Sequence, residues 1–329
     1  METFIPLAKP DLSGNEKLYV SEALENGELS HRGPFVRRLE DDFSRYVGKT
    51  SLAVSSGTAA IHLALLSLNI GSGDEVIIPV LCFGTLASVV LAVGAKPVIL
   101  DIDPDTWGLD RGLVRKYVNE RTKAIVPVNL YGIDAGGFRG FGVPVVEDAC
   151  ESLGMVSPRG DIVCYSLYAN KVVTTGEGGM ISTNIPTTKA YRDGGFDENY
   201  LHTIPGLNYR MTNIQAAIGV AQMERLGGLV SQRIVNAELY SSILYGKGRW
   251  LFVADVENPV AVAGKLPGIE TRPVFTPLHR CPAFKPYASG EYSNADRVWK
   301  NGLCLPTGPH VTQEQVKMIC NMIEAANGD

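Results

Sequence analysis

The chain has 329 residues, 45% hydrophobic and 20% charged, which is ample for a large core and predicts two domains. A formal net charge of −5 argues against a nucleic-acid partner, while a local basic pocket for a small anionic substrate stays compatible with it. No run of about eighteen apolar residues and no charged, apolar, small-residue leader occurs, so neither a membrane span nor export is expected.

In chain order, residues 13–26 predict a helix, with Ser13 and Glu16 at capping-box spacing and Gly27 at its stop. Pro34–Val47 predicts a second helix, opened by proline and closed by Gly48. Strands are predicted at 51–54, 75–79, 96–101, 124–128, 143–146, 162–167 and 180–183. Helices at 57–69, 85–93 and 113–120 fall between the earlier ones. Strands that are apolar throughout and alternate with helices imply an α/β fold, a mainly parallel seven-stranded sheet covered by helices on both faces. Beyond it, residues 211–226 predict a long helix, Gly227-Gly228 a break, and 229–244 its continuation. Short strands and proline-rich turns follow, then a helix at 312–326 with Thr312 and Gln315 as another capping box. The expected division is a large domain over 1–225 and a smaller α+β C-terminal domain over 226–329.

Ligands of parallel sheets sit beyond the carboxyl ends of the strands. Ser56, Gly57, Phe83, Asp148 and Ser166 all follow predicted strands. Ser55-Ser56-Gly57-Thr58 opens a helix, where free backbone N–H groups and hydroxyls suit a phosphate; taken alone, the segment is an ordinary N-cap. Phe83 could stack on a planar ring or simply pack in the core. Asp148 closes the apolar run Val143-Pro144-Val145-Val146-Glu147, and Glu151 lies three positions on. Lys171 ends Ser166-Leu167-Tyr168-Ala169-Asn170-Lys171, ahead of Thr174-Thr175-Gly176-Glu177-Gly178-Gly179. Lysines are usually solvated, but a glycine-rich turn lets backbone approach a ligand closely. An aspartate after a strand, then a serine, then a lysine before such a turn is what pyridoxal 5′-phosphate (PLP) chemistry needs. The lysine forms a Schiff base with the cofactor aldehyde, the aspartate pairs with the protonated pyridine nitrogen, and the serine binds phosphate.

Other clusters carry less. The six cysteines make no CxxC pair, so a zinc site is not expected and a reduced, cytoplasmic setting fits best. Asp101, Asp103 and Asp105 lack the downstream glycine and glutamate of a calcium loop and are expected to serve turns and caps. No metal is predicted.

Taken together, these motifs resemble those of fold-type I PLP enzymes of the DegT/StrS sugar aminotransferase family, and the likeness runs from Ile5-Pro6-Leu7 to the last helix. Leu207-Asn208-Tyr209-Arg210-Met211-Thr212, Glu270-Thr271-Arg272-Pro273-Val274-Phe275, Pro277-Leu278-His279 and Leu305-Pro306 belong to it as well. The resemblance implies that Lys171 carries the cofactor and shuttles the proton. Asp148 pairs with the ring nitrogen, and Phe83 stacks on the ring. Gly57, Thr58 and Ser166 hold the phosphate, and Glu151 meets the ring oxygen. It implies a homodimer in which Asn208 reaches the partner's cofactor phosphate, with Ser30, His31 and His279 bordering a sugar nucleotide. The last-named motifs point to a subgroup that moves an amino group from L-glutamate to a GDP-linked 4-keto-6-deoxy sugar; a UDP- or dTDP-linked 3- or 4-keto sugar is the alternative. Dehydrase relatives typically carry histidine where this chain has Lys171. A cofactor-binding regulator would usually need a DNA-binding module, for which no basic segment is present.

The sequence departs from the family pattern in three places. Residues 133–142 replace a helix between two strands, residues 154–161 are trimmed, and the C-terminal domain is short. The chemistry is expected to persist. The missing helix is expected to uncover one sheet face, which a partner chain would cover.

Overall fold

The computed structural model describes residues 4–327. The strands are β1 (Ser51–Val54), β2 (Glu75–Pro79), β3 (Lys96–Leu100), β4 (Thr122–Ile125), β5 (Val146–Asp148), β6 (Ile162–Ser166) and β7 (Gly179–Ser182). β1-β7-β6-β5 form one ladder and β3-β2-β4 another. Parallel bridges Ile125–Val145 and Val128–Asp148 join them edge to edge. The order across seven strands is therefore β3-β2-β4-β5-β6-β7-β1. Only β7 runs against its neighbours, pairing antiparallel with β1 and β6.

Both faces of this sheet are buried, as continuous apolar strands require. Within β2, Val76 and Ile78 join the main core while Ile77 joins a separate cluster with Leu100, Val114, Ile125, Phe138 and Val145. Successive side chains thus supply opposite layers. The second layer overturns the expectation of an uncovered face. The segment that replaces the missing helix folds its own phenylalanines back onto the sheet. Phe138 is 1% exposed, and Phe141 packs against the same cluster. The Arg111 guanidinium lies 5.4 Å from the Phe138 ring centroid and 5.3 Å from that of Phe141. Phe138→Ala should destabilise the protein by about 3–5 kcal/mol, the usual cost of emptying a buried aromatic site. Urea unfolding would measure this, and a cost below about 1 kcal/mol would mean the loop does not cover the sheet. Glu147 anchors the trimmed 154–161 segment by accepting from Arg159 N–H at 2.6 Å and Gly160 N–H at 2.7 Å.

Downstream, helices Asn213–Glu224 and Leu226–Ser241 lead into an antiparallel sheet of order β10-β11-β9-β8, made by β8 (Gly246–Lys247), β9 (Phe252–Asp255), β10 (Arg272–Pro273) and β11 (Gly302–Leu305). Helix Gln313–Asn327 contributes Val316, Ile319, Cys320 and Ile323 to the core of this region, with Phe252 and Tyr240.

Several boundaries differ from expectation. The first helix is Glu16–Glu25 with Asn15 at its N-cap, because Ser13 instead donates its hydroxyl to Asp11 at 2.7 Å. The helix break falls at Arg225 rather than at Gly227-Gly228. Arg225 has φ −112 and its guanidinium pairs with Asp11 at 2.8 Å, while the glycines sit inside the next helix. Thr212 and Gln215 form a further, unpredicted capping box, and the predicted box at Thr312 and Gln315 is present. Short helices Thr187–Arg192 and Pro259–Gly264 were not predicted. Asp103 accepts from Asp105 and Thr106 N–H groups, and Asp101 accepts from Asn294 and Ala295 N–H at the start of helix Ser293–Asn301. These are the expected turn and cap roles. Among the described residues no helix is long and apolar enough to cross a membrane.

Candidate active site

A cavity of about 510 Å³ opens beyond the carboxyl ends of β1, β2, β5 and β6. Gly57, Thr58, Phe83, Asp148, Glu151, Ser166 and Lys171 all line it, although they come from four separate stretches of chain. The topology brings them together, since each follows a strand that ends at the same edge.

Ser56 caps helix Gly57–Ser67, its hydroxyl accepting from Ala59 N–H at 3.1 Å. Gly57 is required by crowding. A Cβ there would sit 2.8 Å from Cys150 Sγ and 2.9 Å from Ser166 Cβ. The missing side chain lets the helix start, with its free N–H groups and positive dipole end, stand directly beside Ser166.

Asp148 is the last residue of β5 and is buried, with one carboxylate oxygen accepting from Cys150 N–H at 3.0 Å. Burial raises its pKa, as does neighbouring Glu151, while the Cys150 hydrogen bonds and Lys171 act the other way. A buried acid in this condition gains from a cation docked against it.

Lys171 is mostly buried, its Nζ 3.3 Å from Glu151 Oε1 and 3.9 Å from the Trp250 ring centroid. The other Glu151 oxygen accepts from Tyr131 N–H at 2.8 Å. Tyr131 in turn accepts at its hydroxyl from Phe275 N–H at 2.9 Å, and Trp250 donates from Nε1 to the Asn170 carbonyl at 3.0 Å. The lysine is therefore held by a buried carboxylate and an indole, which are themselves tied to backbone. Phe83 stands at the rim, 58% exposed, 5.4 Å from the Phe275 ring.

The structure does not bring the remaining predicted residues into this cavity. Asn208 and Ser30 are exposed. His31 is half-buried, its pKa lowered by burial and by Arg210. His279 pairs with Asp296 at 3.0 Å and stacks on Tyr292 at 4.7 Å. Conversely, Trp250, Arg272, Phe275 and Leu130 line the cavity without having been singled out for it. Trp250 carries no local signal in sequence, since it lies 79 positions beyond Lys171 in an unremarkable turn. Arg272 and Phe275 stood inside a motif, but their destination depends on how the second sheet docks.

The residues present fit PLP on structural grounds. A glycine-cleared helix start beside a serine suits its phosphate, a buried carboxylate with no ion-pair partner among the described residues suits its cationic ring nitrogen, and a buried lysine in the same cavity suits its aldehyde.

Comparisons with known proteins agree. The profile of the DegT/DnrJ/EryC1/StrS aminotransferase family matches residues 10–257 and 253–324. The GDP-perosamine synthase of Caulobacter vibrioides is 36% identical over 96% of this chain and 96% of its own. That of Vibrio cholerae is 32% identical over 97% and 98%. Among solved structures, a Streptococcus pneumoniae protein described as a sugar aminotransferase superimposes in its PMP form with TM-score 0.90 at 26% identity, covering 99% of this chain and 98% of that one. Its PLP form gives TM-score 0.89, also at 26% identity, covering 99% of each chain. The fold is that of fold-type I PLP enzymes and the cofactor is PLP. This chain belongs to the DegT/DnrJ/EryC1/StrS family and is a PLP-dependent sugar aminotransferase.

Proposed function

We propose that the protein transfers the amino group of L-glutamate to GDP-4-keto-6-deoxymannose, giving GDP-perosamine for surface polysaccharide. The observation that carries this reading is the near full-length match to two GDP-perosamine synthases by a chain that gathers Lys171, Asp148 and Glu151 in one cavity. When bound, PLP supplies an electrophilic aldehyde and an electron-withdrawing ring. Lys171 Nζ anchors the cofactor, removes the proton from the donor's Cα and later delivers one to the sugar carbon. Asp148 holds the ring nitrogen in its protonated form. Glu151 orients Lys171 and would meet the ring oxygen. Phe83 would stack on the ring, and Gly57, Thr58 and Ser166 would hold the phosphate.

The reading includes the homodimer that the family likeness implies, in which Asn208, exposed and outside its own cavity, completes the partner's phosphate site. Ser30, His31 and His279 would then border the sugar nucleotide. The reading also includes a division at residue 225, supported by the helix break there and by a second apolar cluster built mainly from residues 240–323, and a cytoplasmic setting, supported by six unpaired cysteines.

Gly57→Ala should weaken PLP binding by about 1–3 kcal/mol, because the added methyl must displace Ser166 or Cys150. Titration of the apoprotein with PLP measures this, and unchanged affinity would move the phosphate elsewhere. The substrate assignment is tested by mass spectrometry of the product formed from L-glutamate and GDP-4-keto-6-deoxymannose. Formation of the amino sugar with release of 2-oxoglutarate is expected. Product only from UDP- or dTDP-linked keto sugars would replace the GDP assignment.

A further inference from the structure

We propose that Arg272 forms the carboxylate subsite for the amino donor, a role that rests on the aminotransferase reading with an amino-acid donor. Arg272 lies in β10, lines the cavity with Lys171, and leaves Nε and Nη2 buried without a hydrogen-bond partner. Its guanidinium carbon is 5.0 Å from the Phe275 ring centroid and 5.6 Å from that of Trp250. Buried Arg192, by contrast, is paired with both Glu40 and Asp193. A guanidinium taken from water with no anion beside it is costly, so an unpaired one facing a cavity is poised for an anionic ligand. Its planar fork matches a carboxylate through two parallel hydrogen bonds, and the two neighbouring rings attract its positive charge.

Position selects the donor over the other anions of the reaction. The cofactor phosphate is already assigned to the helix start at Gly57 and to Ser166. Lys171 touches the same Trp250 ring as Arg272, at 3.9 Å from its centroid, so the two cations border one small volume. An amino acid whose nitrogen must meet the cofactor beside Lys171 would bring a carboxylate to Arg272. Asn170, in the same lining, also leaves its Oδ1 buried and unpartnered, an acceptor suited to the donor's ammonium group. The aromatic walls suit the short aliphatic chain of a dicarboxylic amino acid.

The test uses the PLP-loaded protein with Arg272→Met, which keeps an unbranched stem without the charge, and Arg272→Lys. Glutarate, a dicarboxylate with no amine to react, is titrated calorimetrically, and GDP is titrated separately. Retained PLP absorbance serves as the control for folding. In Arg272→Met, glutarate affinity should fall roughly tenfold to a hundredfold, the loss of one charge-assisted contact, with partial recovery in Arg272→Lys. GDP affinity should not change. Equal glutarate affinity in all three proteins, or no glutarate binding by the wild type, overturns the subsite. A loss confined to GDP also overturns it and assigns the guanidinium to the nucleotide phosphates. Failure of the aminotransferase reading shows separately, as a wild type that binds glutarate yet is unchanged by L-glutamate.

Discussion

Lys171→Ala should lose turnover by on the order of 10⁴-fold or more while keeping its fold. The lysine is assigned two tasks, anchoring the cofactor and moving the proton, and among the described residues no other amine lines the cavity. Glu151 and Asp148 are both already engaged by backbone N–H groups and cannot take over as a base with Lys171's reach. The structural loss is small by comparison. Removing Nζ breaks the 3.3 Å contact with Glu151 and the contact with Trp250, but Glu151 keeps the Tyr131 N–H and the cavity admits water. A stability cost of roughly 1–3 kcal/mol is expected. Single-turnover kinetics and thermal unfolding measure the two effects. A mutant with multiple turnovers near the wild-type rate would remove Lys171 from the mechanism.

Asp148→Asn should separate activity from stability. The proposed pairing with the ring nitrogen needs a negative charge, and asparagine supplies the shape without it. The rate should fall at least tenfold to roughly a hundredfold, the worth of one charge-assisted hydrogen bond. The apoprotein should respond in the opposite sense. Burial raises the Asp148 pKa above its usual value, so the native state holds that proton more tightly than the unfolded chain. The resulting stability is fully present below the unfolded pKa and is lost as pH rises through the folded one. At neutral pH the ionised carboxylate is thus a cost, which asparagine lacks while still accepting from Cys150 N–H. Apo Asp148→Asn should therefore melt at or above the wild type at pH 7, with the difference shrinking as pH falls toward the ordinary carboxylate range. A mutant less stable than wild type across that range would show that the carboxylate is not strained. Wild-type rates in the holoenzyme would mean another acid serves the ring.

Much of this site was legible in the sequence because it is built from strand ends. An apolar run followed by a polar residue is a local pattern, and it located Asp148, Ser166 and Gly57 without tertiary information. The seven strands followed from the same runs, and even β7, the one reversed strand, was found as a strand, although the order of the strands across the sheet was not. What stayed hidden depends on docking. Trp250 reaches the cavity only because the loop before β9 returns to Tyr131, whose carbonyl accepts from both Arg249 and Trp250 N–H groups. Phe138 and Phe141 sit among glycines in a stretch with no periodicity, so their role as a substitute for a helix appears only in three dimensions. The helix break was misplaced because glycines are the usual signal, whereas the residue at the break is Arg225, whose guanidinium pairs with distant Asp11.

The most direct test of the central claim is an absorbance titration of the PLP-loaded protein, first with L-glutamate and then with GDP-4-keto-6-deoxymannose. Loss of the visible band on adding glutamate and its return on adding the GDP sugar would demonstrate both halves of the transfer on the predicted substrates. A visible band that glutamate leaves unchanged would contradict the assignment of this cavity to amino-group transfer from glutamate.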